Sequence, residues 1–171
     1  AAIKQLRESG ALKAEKKAGR ETNEGRVGAY VDESGKATLA EIRCETDFVA
    51  KNEKFIDFAN QIAESIAKTG SSDTPENAAF VGGGTVAEAL KSQIATIGEN
   101  IQLGKVSYMD APEGFFGLYI HNNGKIGVLT KFKGSKSDAT SAVAKQVAMH
   151  VAGHDPQPIA LNSDGIPAEV V

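Results

Sequence analysis

Several residues of this chain are of types that do chemistry, but their neighbours do not complete a catalytic or metal-binding site. His150 and His154 are four residues apart, as two zinc ligands on one helix face would be. No third ligand stands near them in the sequence, and the glutamate of a zinc peptidase motif is missing. The run Gly82-Gly83-Gly84 lacks the Lys-Ser or Lys-Thr pair of a phosphate-binding loop, so a flexible linker is the favoured interpretation. We expect no catalytic residue, no metal site and no cofactor.

The one cysteine, Cys44, excludes a disulfide within the chain. Glu45 follows it directly, and a neighbouring carboxylate raises the pKa of a thiol rather than lowering it. We therefore expect Cys44 to be a buried and unreactive thiol. A nucleophile with a base and an orienting third group is not recognisable anywhere in the sequence.

One short segment, Glu45–Lys51, has the composition of a contact surface. It lies between a predicted strand that ends at Cys44 and a predicted helix that begins near Asn52. Phe48 and Val49 fit neither the alternation of the strand nor the apolar stripe of the helix. Two interpretations are open: Phe48 folds back over the start of the helix, or it projects as an anchor for a partner.

The elements that would hold this segment occur twice, at a spacing of 89 residues. The two copies share glycines, tyrosines and a lysine: Gly25, Gly28, Tyr30, Gly35 and Lys36 align with Gly114, Gly117, Tyr119, Gly124 and Lys125. Helix residues align at the same spacing: Phe58, Ala59, Ile62 and Ala63 meet Val147, Ala148, Val151 and Ala152. Thr46–Val49 then meets Ser135–Asp138, which contains no aromatic residue. We infer one supersecondary unit used twice, whose scaffold does not require Phe48.

Each copy predicts a β-hairpin followed by a helix. The first hairpin joins strands 26–32 and 36–44 through Gly35, and the second joins strands 117–121 and 125–133 through Asn122-Asn123-Gly124. Asn52 is predicted to cap the first helix, which has one apolar stripe: Phe55, Ile56, Ala59, Ile62, Ala63 and Ile66. The second helix is marked by apolar residues and ends near Gly153: Val143, Val147, Met149 and Val151.

The segment between the copies predicts one more helix and one more strand. Thr85 caps the helix, which runs to about Ile97, with Glu88 at the capping-box position, and a strand follows over 101–109. The expected fold class is therefore α+β, with two related subdomains, each a small antiparallel sheet packed against helices.

Charge and hydropathy exclude two classes of partner. The 171 residues include 19 Lys and Arg against 22 Asp and Glu, and this balance argues against direct binding of nucleic acid through its phosphates. No apolar run approaches the about 18 residues of a membrane span, and the start of the chain lacks the apolar segment of a signal peptide. The polar, alanine-rich arm Leu12–Thr22 is interpreted as a solvated helix or linker, with a basic strap for a partner surface as the alternative.

Four stretches of the sequence resemble the translation elongation factor Ts family, the guanine-nucleotide exchange factors of elongation factor Tu. They cover nearly the whole chain and follow the family's order: Lys13–Arg20, Glu41–Lys51, Ile97–Ile101, and Tyr119–His121 with Lys125–Leu129 and Val147–Val151. The resemblance implies that 1–24 is the end of an N-terminal domain with a basic linker helix, of which Ala1–Arg7 is the last domain helix. It implies that 25–112 is the first core subdomain, and that 113–171 is the start of an incomplete second one.

The resemblance also implies the site. Asp47 would disturb the magnesium ion of Tu, and Phe48 would insert between Tu helices, with Thr46 and Val49 beside it. Ile97 and His121 match positions of further Tu contacts, although His121 also fits a plain hairpin residue. The implied partner is elongation factor Tu, either GDP-bound or nucleotide-free, and the implied activity promotes GDP release without covalent catalysis.

Several alternatives stay open at this point. A translation- or ribosome-associated interaction module of the same fold, which binds without exchange, is the second hypothesis, and a metal-dependent enzyme is the least favoured. A homodimer and a Tu–Ts heterotetramer both fit the family. The expected location is the bacterial cytoplasm, with an organellar matrix or stroma as the alternative.

Overall fold

Two hairpin-and-helix units form the fold, and they lie next to each other in the chain. The structure is a computed structural model that describes residues 12, 14–154, 159–160 and 162–168. The predicted helix at Ala1–Arg7 lies outside these residues. The α+β class is confirmed, with a three-stranded antiparallel sheet and a two-stranded one.

The first unit contains three strands and three helices. Its sheet has the order β1 (Glu24–Val31), β2 (Lys36–Cys44) and β3 (Gln102–Asp110). Its helices are α1 (Asp47–Ala50), α2 (Glu53–Thr69) and α3 (Val86–Ile97). The second unit contains β4 (Gly114–His121), β5 (Ile126–Lys133) and α4 (Asp138–Ala152). Both hairpins are confirmed, and β4 begins three residues earlier than predicted.

The turns and helix caps are those that the sequence predicts. Gly35 turns the first hairpin with φ +83°, and Asn122-Asn123-Gly124 turns the second with φ between +52° and +89°. The Asn52 side chain accepts from the Lys54 N–H at the start of α2. Thr85 and Glu88 form the predicted reciprocal capping box of α3. Residues that adopt a positive φ therefore determine where each hairpin turns, and capping side chains determine where both helices begin.

The main core lies between the first sheet and α2. The predicted stripe of α2 is buried except for the half-buried Ile56. The buried residues of α3 belong to the same apolar cluster: Val86, Leu90 and Ile94. A smaller cluster joins the two units, where Phe116 packs with Ala37 and Ala111. An ion pair between Glu24 and Lys125, 2.9 Å long, also links β1 to the second unit.

The repeat is confirmed for the first strand of each hairpin, but its predicted spacing of 89 is wrong for the second strands and for the helices. Gly25 pairs with Arg43 and Gly114 with Lys133, so the second strands are 90 residues apart. Gly28 lies against the backbone carbonyl of Ala59, and Gly117 lies in the same way against that of Ala144. The two alanines, and likewise the helix caps Asn52 and Ser137, are 85 residues apart rather than 89. Ala59 is therefore equivalent to Ala144 and not to Ala148. A slip of four residues is close to one helical turn, so it keeps small and apolar residues on the same face.

Helix α4 ends at Gly153 as predicted, but the residues that marked it are not its buried face. Val143, Val147, Met149 and Val151 are exposed, and the buried residues are alanines: Ala144, Ala148 and Ala152. The small residues let α4 lie close to β4, since any side chain at Gly117 would collide with the helix backbone. The close approach of α4 to β4, which only small residues permit, therefore decides which face is buried here.

The described part of the basic arm has mostly exposed side chains, but it also lies against the first unit. Ala14 is buried in the main core. The Lys17 ammonium donates to the Gly98 carbonyl, and the buried Asn100 side chain donates to the Arg20 carbonyl at 2.7 Å. Most other side chains of this segment are exposed. Among the described residues, no helix is both long and apolar enough to cross a membrane.

Candidate partner-binding site

The segment between β2 and α2 contains a single helical turn, α1. Thr46 caps this turn, and its hydroxyl accepts from the Val49 N–H at 3.4 Å. Asp47 follows the cap in the first turn, where an acidic side chain is favourable. A capping residue followed by an aspartate is the signal that could have indicated this turn in the sequence.

The turn points its aromatic residue into solvent. The Phe48 side chain is 83% exposed, the highest value among the exposed large apolar residues of the described chain. Its neighbours do the opposite, since Val49 packs against the main core and Ala50 is buried. The interpretation that Phe48 folds back over a helix is therefore wrong, and its side chain projects from the turn. Its use as an anchor for a partner stays a prediction. Val49 and Ala50 fix the turn, while Phe48 stays free for contact.

Asp47 lies beside Phe48 and is held by an ion pair within the same turn. The Lys51 ammonium lies 2.6 Å from Asp47 Oδ2. This hydrogen bond from Lys51 is the main cause that lowers the pKa of Asp47 below its usual value. Asp47 is therefore a carboxylate at neutral pH and places a negative charge next to the exposed ring.

The loop after α3 is bonded directly to this turn. Glu99 Oε2 accepts from the backbone N–H groups of Glu45 and Thr46, both at 3.0 Å. Glu99 Oε1 accepts from the Thr46 hydroxyl at 2.6 Å. In the other direction, the Asn100 N–H donates to Glu45 Oε1, also at 2.6 Å. No local pattern in the sequence indicates this role of Glu99, because 53 residues separate it from Thr46.

Ile97, one of the predicted contact residues, lies next to this junction but is largely engaged in the fold. It is the last residue of α3, it is half-buried, and it packs against the main core. Gly98 follows it with φ +89° and caps the helix. Because Gly98 leads directly into Glu99, Ile97 and the α1 turn belong to one continuous region.

His121, the other predicted contact, is exposed at the end of β4. Its Nδ1 lies 3.3 Å from the Tyr119 hydroxyl. The turn that follows His121 reaches the α1 turn through Arg26, whose Nη1 donates to the Ala50 carbonyl at 3.3 Å. A Cβ at Gly124 would lie 2.8 Å from Arg26 Nη2, so this guanidinium fills the space between the two turns. Partial burial lowers the pKa of Arg26.

Cys44 lies under the α1 turn and is fully buried, as expected. Its Sγ donates to the Thr46 carbonyl at 3.3 Å. Burial is the main cause that raises the pKa of Cys44 from 9.0 to about 11, followed by the negative charges of Glu99 and Glu24. The direction of the expected shift is confirmed, but the nearby charges that cause it are not that of Glu45.

The described residues contain no group of three or more His, Cys, Asp or Glu side chains that could hold a metal ion. The rings of His150 and His154 lie 6.2 Å apart on the exposed side of α4 and beyond its end. The arrangement around α1 presents an aromatic ring and a carboxylate on a firmly held turn.

Comparison with known proteins gives a consistent result. The family model described as Elongation factor TS matches residues 45–171. A protein named Elongation factor Ts from Rhodopseudomonas palustris (strain BisB18) is 42% identical over the whole chain, which spans 56% of that protein. Proteins of the same name are 44% identical over 91% of the chain in Nitratidesulfovibrio vulgaris (strain DP4) and 41% identical over 99% in Nautilia profundicola. The chain spans 53% and 57% of these two, so it covers little more than half the length of its curated relatives.

Proposed function

The chain belongs to the elongation factor Ts family, and on this basis we propose that it binds elongation factor Tu and promotes the release of GDP. The observation that carries the proposal is the exposure of Phe48 on a turn whose other apolar residues are packed. An exposed aromatic side chain on a rigid support is typical of the anchor of an interface. The chain spans about half the length of its relatives, and we propose the activity for the 171 residues of this chain.

The two exposed side chains of the turn would act in different ways. Phe48 would insert into an apolar site between Tu helices and thereby favour the nucleotide-free conformation. Asp47 would bring its carboxylate close to the magnesium ion and its water shell, and would weaken the hold of Tu on the metal. Thr46 and Val49 would flank Phe48, while the half-buried Ile97 and the exposed His121 would extend the contact.

No covalent step is needed for this activity, so the chain would act without being an enzyme. A protein that binds nucleotide-free Tu more tightly than GDP-bound Tu must weaken GDP binding by the same factor. The relatives named above come from bacteria, and we propose the bacterial translation system as the setting.

The experiment measures the release of a fluorescent GDP analogue from purified Tu by stopped flow, with increasing amounts of the chain. We expect the wild-type chain to accelerate release. Phe48→Ala should reduce the acceleration by at least about tenfold, which corresponds to loss of about 1.4 kcal/mol of interaction. Asp47→Ala should reduce it by a smaller factor. Neither change should lower the unfolding temperature appreciably, since both side chains face solvent.

Val143→Ala is the matched control, because Val143 is an exposed apolar residue on α4 and lies outside the α1 turn. It should accelerate release as the wild type does. If the chain binds Tu without acceleration, it is an interaction module and not an exchange factor. If Phe48→Ala retains full acceleration, the α1 turn is not the contact.

A further inference from the structure

We propose that Glu99 is a positioning residue, whose carboxylate holds the α1 turn so that Phe48 projects in the direction needed for contact. The proposal deepens the function proposed above and rests on it. Phe48 makes too little contact with the rest of the chain to fix its own direction, since its side chain is 83% exposed. Its direction therefore depends on how the backbone of its turn is held.

Glu99 holds that backbone at the point where α1 begins. The first N–H groups at a helix start have no partner within the helix. Glu99 supplies a carboxylate oxygen to two N–H groups just before the turn, those of Glu45 and Thr46. Its other oxygen accepts from the Thr46 hydroxyl, which in turn accepts from the Val49 N–H. One side chain thus orients both the entry to the turn and its cap.

Glu99 is itself held in place by the segment around it. Its neighbour Asn100 is buried, donates its N–H to Glu45, and donates its side-chain N–H to the Arg20 carbonyl. On the other side, Lys17 binds the Gly98 carbonyl. The backbone that carries Glu99 is therefore fixed to the α1 turn and to the basic arm at the same time.

The two sides of the turn are then anchored by different forces. Val49 and Ala50 attach its end to the main core by apolar packing. Glu99 attaches its beginning by hydrogen bonds to a charged acceptor, which are stronger than those between neutral groups. Removing Glu99 would leave the apolar anchor intact and free the entry, so the chain would stay folded while Phe48 lost its direction.

Hydrogen exchange of the chain alone tests the clamp, and GDP-analogue release from Tu tests its consequence. In Glu99→Ala, we expect the amides of Glu45 and Thr46 to exchange at least about tenfold faster, while amides in the middle of α2 keep their protection. The concentration of chain that gives half-maximal acceleration should rise about fivefold or more. Glu99→Gln should return both the amide exchange and the half-maximal concentration most of the way to their wild-type values, because its carbonyl oxygen still accepts from the two amides.

Thr140→Ala is the control, because it removes the hydroxyl that accepts from the Ser137 N–H at the start of α4, in the second unit and away from the turn. It should leave both readings at wild-type values. Thr46→Val, which lacks the hydroxyl bonded to Glu99, provides a second variant if Glu99→Ala does not fold, and it should also raise the half-maximal concentration.

Wild-type exchange at Glu45 and Thr46 in Glu99→Ala would overturn the proposal. Loss of protection throughout α2, with no recovery in Glu99→Gln, would also overturn it, since Glu99 would then be a general structural residue. If the wild-type chain does not accelerate GDP release, the proposed function fails, but the amide measurement still decides whether Glu99 holds the turn.

Discussion

The two units of this chain differ most in the segment that joins the second strand to the helix. In the first unit eight residues, 45–52, connect β2 to α2, and in the second unit four residues, 134–137, connect β5 to α4. The four additional residues equal the length of α1, the turn that carries Asp47 and Phe48. The second unit shows that a hairpin and a helix can be joined without this turn. The turn is therefore an addition to the scaffold, and its exposed Phe48 is free for another task.

A second difference concerns the outer side of the two main helices. Phe58, Ile62 and Ile66 of α2 are buried, and they share a cluster with α3. The equivalent residues of α4, four positions earlier than predicted, are exposed in the described chain: Val143, Val147 and Val151. The same helical pattern is therefore buried in α2, within the cluster that also contains residues of α3, and exposed on α4 in the described chain.

The largest expected effect is on the free energy of unfolding, and it tests the difference in burial between α2 and α4. Ile62→Ala should lower the free energy of unfolding by about 2–5 kcal/mol, because Ile62 is fully buried and its truncation leaves a cavity. Val147→Ala, at the equivalent position of α4, should change it by less than about 1 kcal/mol, since this side chain is 39% exposed and its truncation leaves no closed cavity. Urea unfolding of both variants measures the two values, and similar losses would mean that the face of α4 is covered in solution.

The last residues of β2 and β5 should differ in how fast a thiol placed there reacts. Cys44, the last residue of β2, is buried under α1, whereas Lys133, the last residue of β5, is exposed. We expect Cys44 to react with a thiol reagent at least about a hundredfold more slowly in the folded chain than in urea, because it is buried and its raised pKa keeps it protonated. A Lys133→Cys variant in a Cys44→Ala background should react close to the rate of an unfolded thiol. Equal rates at the two positions would contradict the comparison.

The same thiol makes stability depend on alkaline pH. Folding raises the pKa of Cys44 from 9.0 to about 11, so the folded chain binds the thiol proton more tightly than the unfolded chain does. Its contribution to stability is complete below pH 9.0 and is lost as the pH rises towards about 11. Urea unfolding at a series of alkaline pH values measures this loss, which should disappear in Cys44→Ala.

The sequence predicted those parts of the fold that short-range polar signals determine. Gly35, the Asn122–Gly124 turn and the Thr85–Glu88 capping box each act within a few residues, and all were correct. The slip of the second helix could not be seen, because a shift of four residues leaves the apolar pattern almost unchanged.

The contacts that hold the α1 turn were less predictable from the sequence than Phe48, the residue that the turn exposes. Phe48 was recognisable because it fits neither neighbouring pattern. The α1 turn was missed, since four residues are too few to show a helical period. The clamp of Glu99 joins positions 53 and 54 residues apart, and the arm docks through backbone carbonyls, which no side-chain pattern indicates.

The most direct test of the central claim is to give the first unit the connection of the second. Residues 45–52 are replaced by the sequence of 134–137, Gly-Ser-Lys-Ser, and release of the GDP analogue from Tu is measured beside wild type and Phe48→Ala. We predict a chain that still unfolds cooperatively, although at lower stability because the packed Val49 and Ala50 are lost. GDP release should fall to the rate of Tu alone. A folded replacement variant that accelerates release as the wild type does would contradict the account.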